Sequence, residues 1–140
     1  MFYITDQPID LDSIVASVAS PEAGAISTFI GVTRNFTADF QVAYLFYEAY
    51  HTMAIQQMAE VARKIQEKYT LQKVAMTHRI GKVVVGEASV VIAVSASHRK
   101  DAINACHDAI DLLKEIVPIW KKEYMTDGTQ QWLANRPETR

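Results

Sequence analysis

The stretch SASHRKDAINACHDAIDLLKEIVPIWKKE, Ser95 to Glu123, constrains the fold more than any other part of the chain. It reads as the end of a strand, one long amphipathic helix and an extended basic exit. At about 100° per residue, Ile103, Cys106, Ala109, Ile110, Leu113 and Val117 share one stripe, which must be buried against another element. Asp101, Asn104, Asp108, Asp111 and Glu115 lie on the opposite, solvated side. The helix has to stop before Pro118, because the residue preceding a proline disfavours helical geometry. A β-branched run, ASVVIAVSA, feeds directly into it, so a sheet is the natural surface for the stripe to cover.

The remaining segments supply that sheet. DLDSIVASVASPEAG predicts a short helix with Asp10 or Asp12 as N-cap, stopped by Pro21. GAISTFIGVTR predicts a strand running into the polar loop RNFTADFQ, and VAYLFYEAY a second, aromatic strand. TMAIQQMAEVARKIQEKY is amphipathic, with Met53, Ala54, Met58, Val61, Ala62, Ile65 and Tyr69 on one side. KVAMTHRIGKV, VGE and ASVVIAVSA read as two strands around a tight glycine turn, and Asp127-Gly128 marks a hairpin within KKEYMTDGTQQWLA. Strands and helices alternate irregularly, which gives an α+β class and a single domain over residues 1–140. From pattern alone, a ferredoxin-like sheet with helices on one face is the generic expectation.

Composition narrows the function. A chain of 140 residues with 49 % hydrophobic and 21 % charged residues can bury a proper core. A net charge of -2 lacks the basic excess of a general nucleic-acid binder. The single cysteine, Cys106, leaves no disulfide framework and no cysteine-based zinc site, and its place on the apolar stripe reads as a buried, inert thiol. His51, His78 and His107 lack metal-ligand spacing with acids or cysteines, and the glycines are too dispersed for a phosphate loop. No metal and no cofactor are expected. MFYITDQPID carries no basic-then-apolar leader and no apolar run reaches membrane-spanning length, so a cytoplasmic location with no membrane partner is the expectation.

Two features break the helical pattern. Lys114 falls about 40° from Ile110, inside the apolar stripe or at its rim. It reads either as a snorkelling lysine or as a partly desolvated ammonium in a pocket. At the other end, His98, Arg99 and Lys100 oppose the helix dipole, a cost of a few tenths of a kcal/mol each, roughly. An anion resting on the free N–H groups would reverse that penalty, with Ser95 or Ser97 placed to cap the turn; a surface charge run compensated by Asp101 is the plainer reading. Arg34, Lys121, Lys122 and Arg136 flank the same region, and in an acidic chain such a set implies an anionic ligand or an acidic partner. Glu48, inside the aromatic strand, fits a paired buried acid or a pocket residue equally.

STFIGVTRN, YEAYHTMA, HRIGKVVVGE, SASHRKDAINA and LKEIVPIWKKE occur in this order between Gly24 and Arg136, and as a set they resemble the large, catalytic subunits of molybdopterin synthase. The resemblance implies an α/β-hammerhead fold with an additional small antiparallel β subdomain. It also implies a homodimer within a heterotetramer, binding two copies of a small ubiquitin-like sulfur-carrier subunit. The carrier's Gly-Gly tail ends in a thiocarboxylate and supplies the two sulfurs that convert cyclic pyranopterin monophosphate into the molybdopterin dithiolene of molybdenum cofactor biosynthesis. On this basis the chain is a sulfurtransferase. Lys114 and Lys121 match the family's catalytic lysines, and Arg34, His98 and Arg99 match residues beside the substrate and its phosphate. Phe29, Lys122, Glu123 and Arg136 match further binding positions, with Arg136 reaching across the dimer. The chain departs from the family in lacking a glycine in the loop after Arg34, in carrying Phe46 where a glutamate is frequent, and in having Ile110 in place of a methionine. The competing function is a non-catalytic, dimeric anion- and partner-binding domain of similar fold, which would retain the helix-start site without needing Lys114.

Overall fold

The structure is a computed structural model and describes residues 1–134. The long helix is α3 (Arg99–Ile116), and the sheet beneath it contains four strands in the order β1-β5-β7-β2. These are β1 (Phe2–Thr5), β2 (Ala25–Val32), β5 (Lys73–Arg79) and β7 (Ala88–Ala96). β1 is parallel to β5, while β7 pairs antiparallel with both β5 and β2. β7 is buried almost throughout because both of its faces are covered, which explains its unbroken β-branched sequence.

Strand alternation decides which helix covers which face. Val74, Met76, Ile92 and Val94 point into one core with α2 (His51–Lys68) and α3. Ala75 and Ala93 point the other way and meet Val18 and Ile14 of α1 (Leu11–Val18). Small residues on that second face let a short helix approach closely. Helices therefore flank both faces, which corrects the one-sided ferredoxin-like expectation.

A second, antiparallel sheet is built on β4 (Phe40–Ala49). β3 (Phe36–Thr37) and β6 (Gly81–Val84) pair with β4, as does β8 (Ile119–Met125), which in turn pairs with β9 (Gln130–Ala134). Asp127-Gly128 does make the β8–β9 turn, with Gly128 at φ +91, where a side chain would be strained. One apolar core runs through both sheets, from Val42, Leu45 and Tyr47 to Met76 and Ile92.

Several local expectations need correction. The segment from Lys73 to Ala96 forms three strands, because Gly81 at φ +81 passes the chain from the first sheet to the second. Ile103 is 55 % exposed and Met53 53 % exposed. The buried face of α3 is centred on Ala102, Ala105 and Ala109 and includes Ile110, which leaves Ile103 on the rim with Lys114. Neither Ser95 nor Ser97 caps α3, since His98 occupies the N-cap without a side-chain bond. Ser95 Oγ instead accepts from the Lys73 amide, and Ser97 Oγ accepts from Gln72 Nε2.

Candidate active site

Where the two sheets meet the C-terminal end of α3, a cavity of about 350 Å³ opens. Each wall follows from a local feature. β2 ends at Val32, and the next residue is pinned by Thr33 N–H to Glu87 O and Gly86 N–H to Thr33 O. Asn35 O accepts from Val42 N, so Arg34 is held between two fixed neighbours and lines the cavity. Gly31 belongs to the same wall; a Cβ there would lie 2.7 Å from Val90 Cγ1, so only glycine lets β2 approach this closely.

β8 supplies the opposite wall. Its alternation turns Lys121 and Glu123 into the cavity, opposite Tyr47 and Leu45 of β4. Burial pulls the Lys121 ammonium below the usual lysine range; Glu123 acts against this, while Lys114 and Arg34 push in the same direction as burial. Glu123 is 3 % exposed, with Oε2 accepting from Thr37 Oγ1 at 2.8 Å and Oε1 lacking a donor among the described residues. Lys114 enters from the last turn of α3 and is half-buried. Arg34, Lys114 and Lys121 thus converge on one space in which Glu123 is the single carboxylate among the described residues. Three cations facing one anion favour a ligand that brings negative charge.

Phe29, Ile110 and Lys114 also line a second cavity between β2 and α3, floored by Ser27 and Cys106. The two spaces share these side chains and together describe a path into the cationic chamber. Burial pushes the Cys106 thiol up, against a Ser27 hydrogen bond that lowers it, as expected of an inert sulfur.

The other expected residues lie elsewhere. Lys122 projects from the opposite face of β8, with Nζ 5.3 Å from the Tyr124 ring and 5.2 Å from the Trp132 ring. His98 and Arg99 are exposed at the start of α3, about 22 Å along the helix axis from Lys114. Glu48 is exposed, so it is neither a buried paired acid nor a cavity residue. Arg136 lies outside the described residues. Conversely, Tyr47 and His78 line the cavity although neither stands out in the sequence. Both are buried strand residues that read as ordinary core, and only the contact between β4 and β5 side chains at the cavity exposes their role.

No helix among the described residues is long and apolar enough to cross a membrane. The profile of the MoaE protein family matches residues 4–116. The molybdopterin synthase catalytic subunit of Bacillus subtilis (strain 168) is 49 % identical over 138 residues, covering 99 % of this chain and 87 % of that protein. The crystal structure of molybdopterin synthase from Staphylococcus aureus superimposes with a TM-score of 0.88 at 39 % identity, covering 92 % of this chain and 93 % of that one. A protein–protein complex of subunits 1 and 2 of the molybdopterin-converting factor from Helicobacter pylori 26695 shares the fold, with a TM-score of 0.77 at 20 % identity over 98 % of this chain and 92 % of that one. The chain belongs to the MoaE family of molybdopterin synthase catalytic subunits.

Proposed function

We propose that the cationic cavity is where sulfur passes from a carrier thiocarboxylate to cyclic pyranopterin monophosphate, which makes the chain a cytoplasmic sulfurtransferase acting as one unit. The observation that carries this reading is the convergence of Lys114, Lys121 and Arg34 on a single chamber. The thiocarboxylate is itself the nucleophile, so the protein needs no reactive thiol; it has to position two anions and stabilise the charge that moves between them. Lys114 holds the thiocarboxylate and the acyl intermediate. Lys121, whose proton is loosened by burial, donates to oxygen leaving the pterin side chain. Arg34 holds the phosphate-bearing substrate, with Glu123 beside it. The carrier's Gly-Gly tail reaches Lys114 along the path lined by Phe29 and Ile110, where its lack of side chains suits a narrow entry.

His98 and Arg99 can serve the same substrate only from a second copy, given their distance along α3. β2 offers the place for that copy. It is an edge strand of its sheet, and Ile26, Ile30 and Val32 are exposed along it. A two-fold axis across this edge would exchange the ends of β2. It would carry the start of one α3, beside the Ala25↔Ala96 end of the sheet, toward the partner's Arg34 end. Arg136 would reach across the same dimer, Lys122 would face the carrier body outside the cavity, and two carriers would complete a heterotetramer.

The test is incubation of the purified chain with a thiocarboxylated carrier and cyclic pyranopterin monophosphate, following dithiolene formation. Product formation is expected. Carrier binding without product would leave the chain as an anion- and partner-binding domain and overturn the enzymatic reading.

A further inference from the structure

Three cations dominate the cavity, but part of its wall is made of acceptors. His78 sits near the end of β5 with 1 % of its surface exposed, and its ring lines the chamber. Nδ1 lies 2.8 Å from the carbonyl oxygen of Arg79. A carbonyl oxygen can only accept, so Nδ1 carries the proton of the neutral ring. An edge contact with Tyr47, centroids 4.9 Å apart, fixes the ring plane. Burial first, then the charges of Lys121 and Lys114, outweigh the Arg79 carbonyl bond and hold the imidazole pKa down to about 4, so the ring stays neutral near pH 7. Nε2 is therefore a lone-pair acceptor and cannot act as a cationic anchor.

Glu123 supplies a second acceptor. Thr37 engages Oε2, while Oε1 is buried without a donor among the described residues. Tyr47 stands beside both groups: it faces Lys121 in the β4–β8 register, one inward position from Glu123, and touches His78 with its ring. A buried acceptor left unpaired is destabilising, so Glu123 Oε1, with the Nε2 lone pair of His78 at the same chamber wall, marks a place where a ligand brings the donors.

We propose that His78 is a positioning and specificity residue: its Nε2, together with Oε1 of Glu123, receives N–H or O–H donors of a ligand whose anionic group is held by Arg34, in the chamber that Lys114 and Lys121 share. This rests on the sulfur-transfer reading and deepens it by defining the ligand class. The chamber selects a donor-bearing heterocycle carrying a phosphate, such as a reduced pterin with its ring N–H groups, over a simple anion. Cations alone would accept any phosphate of suitable size. The acceptor pair disfavours a ligand without donors, because its binding would seal two unpaired acceptors from water.

His78→Asn separates the two functions of the ring, since the shorter amide keeps an N–H near the Nδ1 position for the Arg79 carbonyl and lacks the Nε2 acceptor. Calorimetry on the catalytic subunit assembled with carrier lacking sulfur uses two probes, cyclic pyranopterin monophosphate and inorganic phosphate. The variant is expected to bind the pyranopterin about tenfold more weakly, the scale of losing one specific hydrogen bond, with phosphate affinity changed by less than about twofold. Unchanged pyranopterin affinity, or equal losses for both probes, overturns the proposal. Failure of the unmodified protein to bind pyranopterin at all would instead overturn the sulfur-transfer reading, and this proposal with it. Nitrogen NMR of the unmodified protein gives a second check that does not depend on the variant folding. Nδ1 is expected to be protonated at pH 7, with Nε2 shifting on addition of pyranopterin and not of phosphate. A proton on Nε2, or an Nε2 that pyranopterin leaves unmoved, contradicts it.

Discussion

The two ends of α3 both carry basic residues, but their settings are physically opposite. Lys114 lies in the last turn, where the helix dipole favours a cation, and the side chain is half-buried against the chamber. Arg99 and Lys100 lie in the first turn, where the dipole disfavours them, exposed and without a side-chain cap at His98. Lys114 therefore needs no outside help to be tolerated, and what distinguishes it is the chamber it faces. The helix start is locally unfavourable, with Asp101 in the same turn as a partial counter-charge, and an anion bound there would offset the remaining penalty. A single helix thus presents one cation to its own cavity and an exposed basic pair to solvent.

That contrast breaks most clearly in mixed dimers. Lys121→Ala should reduce turnover by about a hundredfold, the scale of losing one charge-stabilising donor. Arg99→Ala should weaken pyranopterin binding by about 1–3 kcal/mol while leaving folding nearly unchanged, because the native side chain opposes the dipole. If the start of α3 serves the partner's chamber, random mixing of the two variants restores about a quarter of the sites, since half of the dimers are hybrids with one intact site each. Activity assays on the mixture at low substrate check this. Hybrids confirmed by mass spectrometry but showing no recovery would remove His98 and Arg99 from the chamber.

A pH-dependent effect on stability follows from His78. Its pKa falls from 6.5 in the unfolded chain to about 4 in the native protein. Between those values the unfolded chain takes up a proton that the native state refuses, so stability falls as pH drops. The loss is on the order of 3 kcal/mol across the window and vanishes above it. His78→Phe should flatten this acid-side slope in urea titrations at several pH values; an unaltered slope would show that the ring is not held neutral by the fold. Cys106→Ser should cost about 1–2 kcal/mol by burying a hydroxyl on the apolar stripe, with sulfur transfer retained. Complete loss of transfer in a well-folded Cys106→Ser protein would make the thiol a relay.

The elements with strong periodicity were legible without coordinates. α1, with Asp10 capping the Ser13 amide, α2, α3 and the β8–β9 turn all lie where spacing and turn chemistry put them. β1 escaped because four residues in a parallel edge pairing leave no alternation to read, and β6 because its boundary is a glycine kink rather than a loop. The lysines of the chamber could be suspected from their surroundings. Their meeting with Arg34 could not, since it depends on β8 pairing with β4 and on the pinned turn at Thr33. His78 was least legible, because a histidine at a strand end carries no pattern until a cavity opens against it.

The loop after Arg34 makes its turn without a glycine. Without a glycine, β3 and β4 turn through Ala38 at φ 52, a left-handed position that costs a non-glycine residue about 1 kcal/mol. Ala38→Gly should change the melting temperature only slightly, since relief of this strain is offset by glycine's greater chain entropy. A large destabilisation would mean that the Ala38 methyl group packs against something that its backbone position does not require.

The sulfur-transfer reading requires the charge of Lys114 to act on the carrier's thiocarboxylate. Lys114→Met keeps length and helix propensity while removing that charge. The decisive measurement pairs a melting curve with single-turnover dithiolene formation at saturating thiocarboxylated carrier. The account predicts unchanged or higher thermal stability, with sulfur transfer slowed by at least about a hundredfold. Near-normal transfer in a stable Lys114→Met protein would reduce this lysine to a snorkelling side chain and contradict the account.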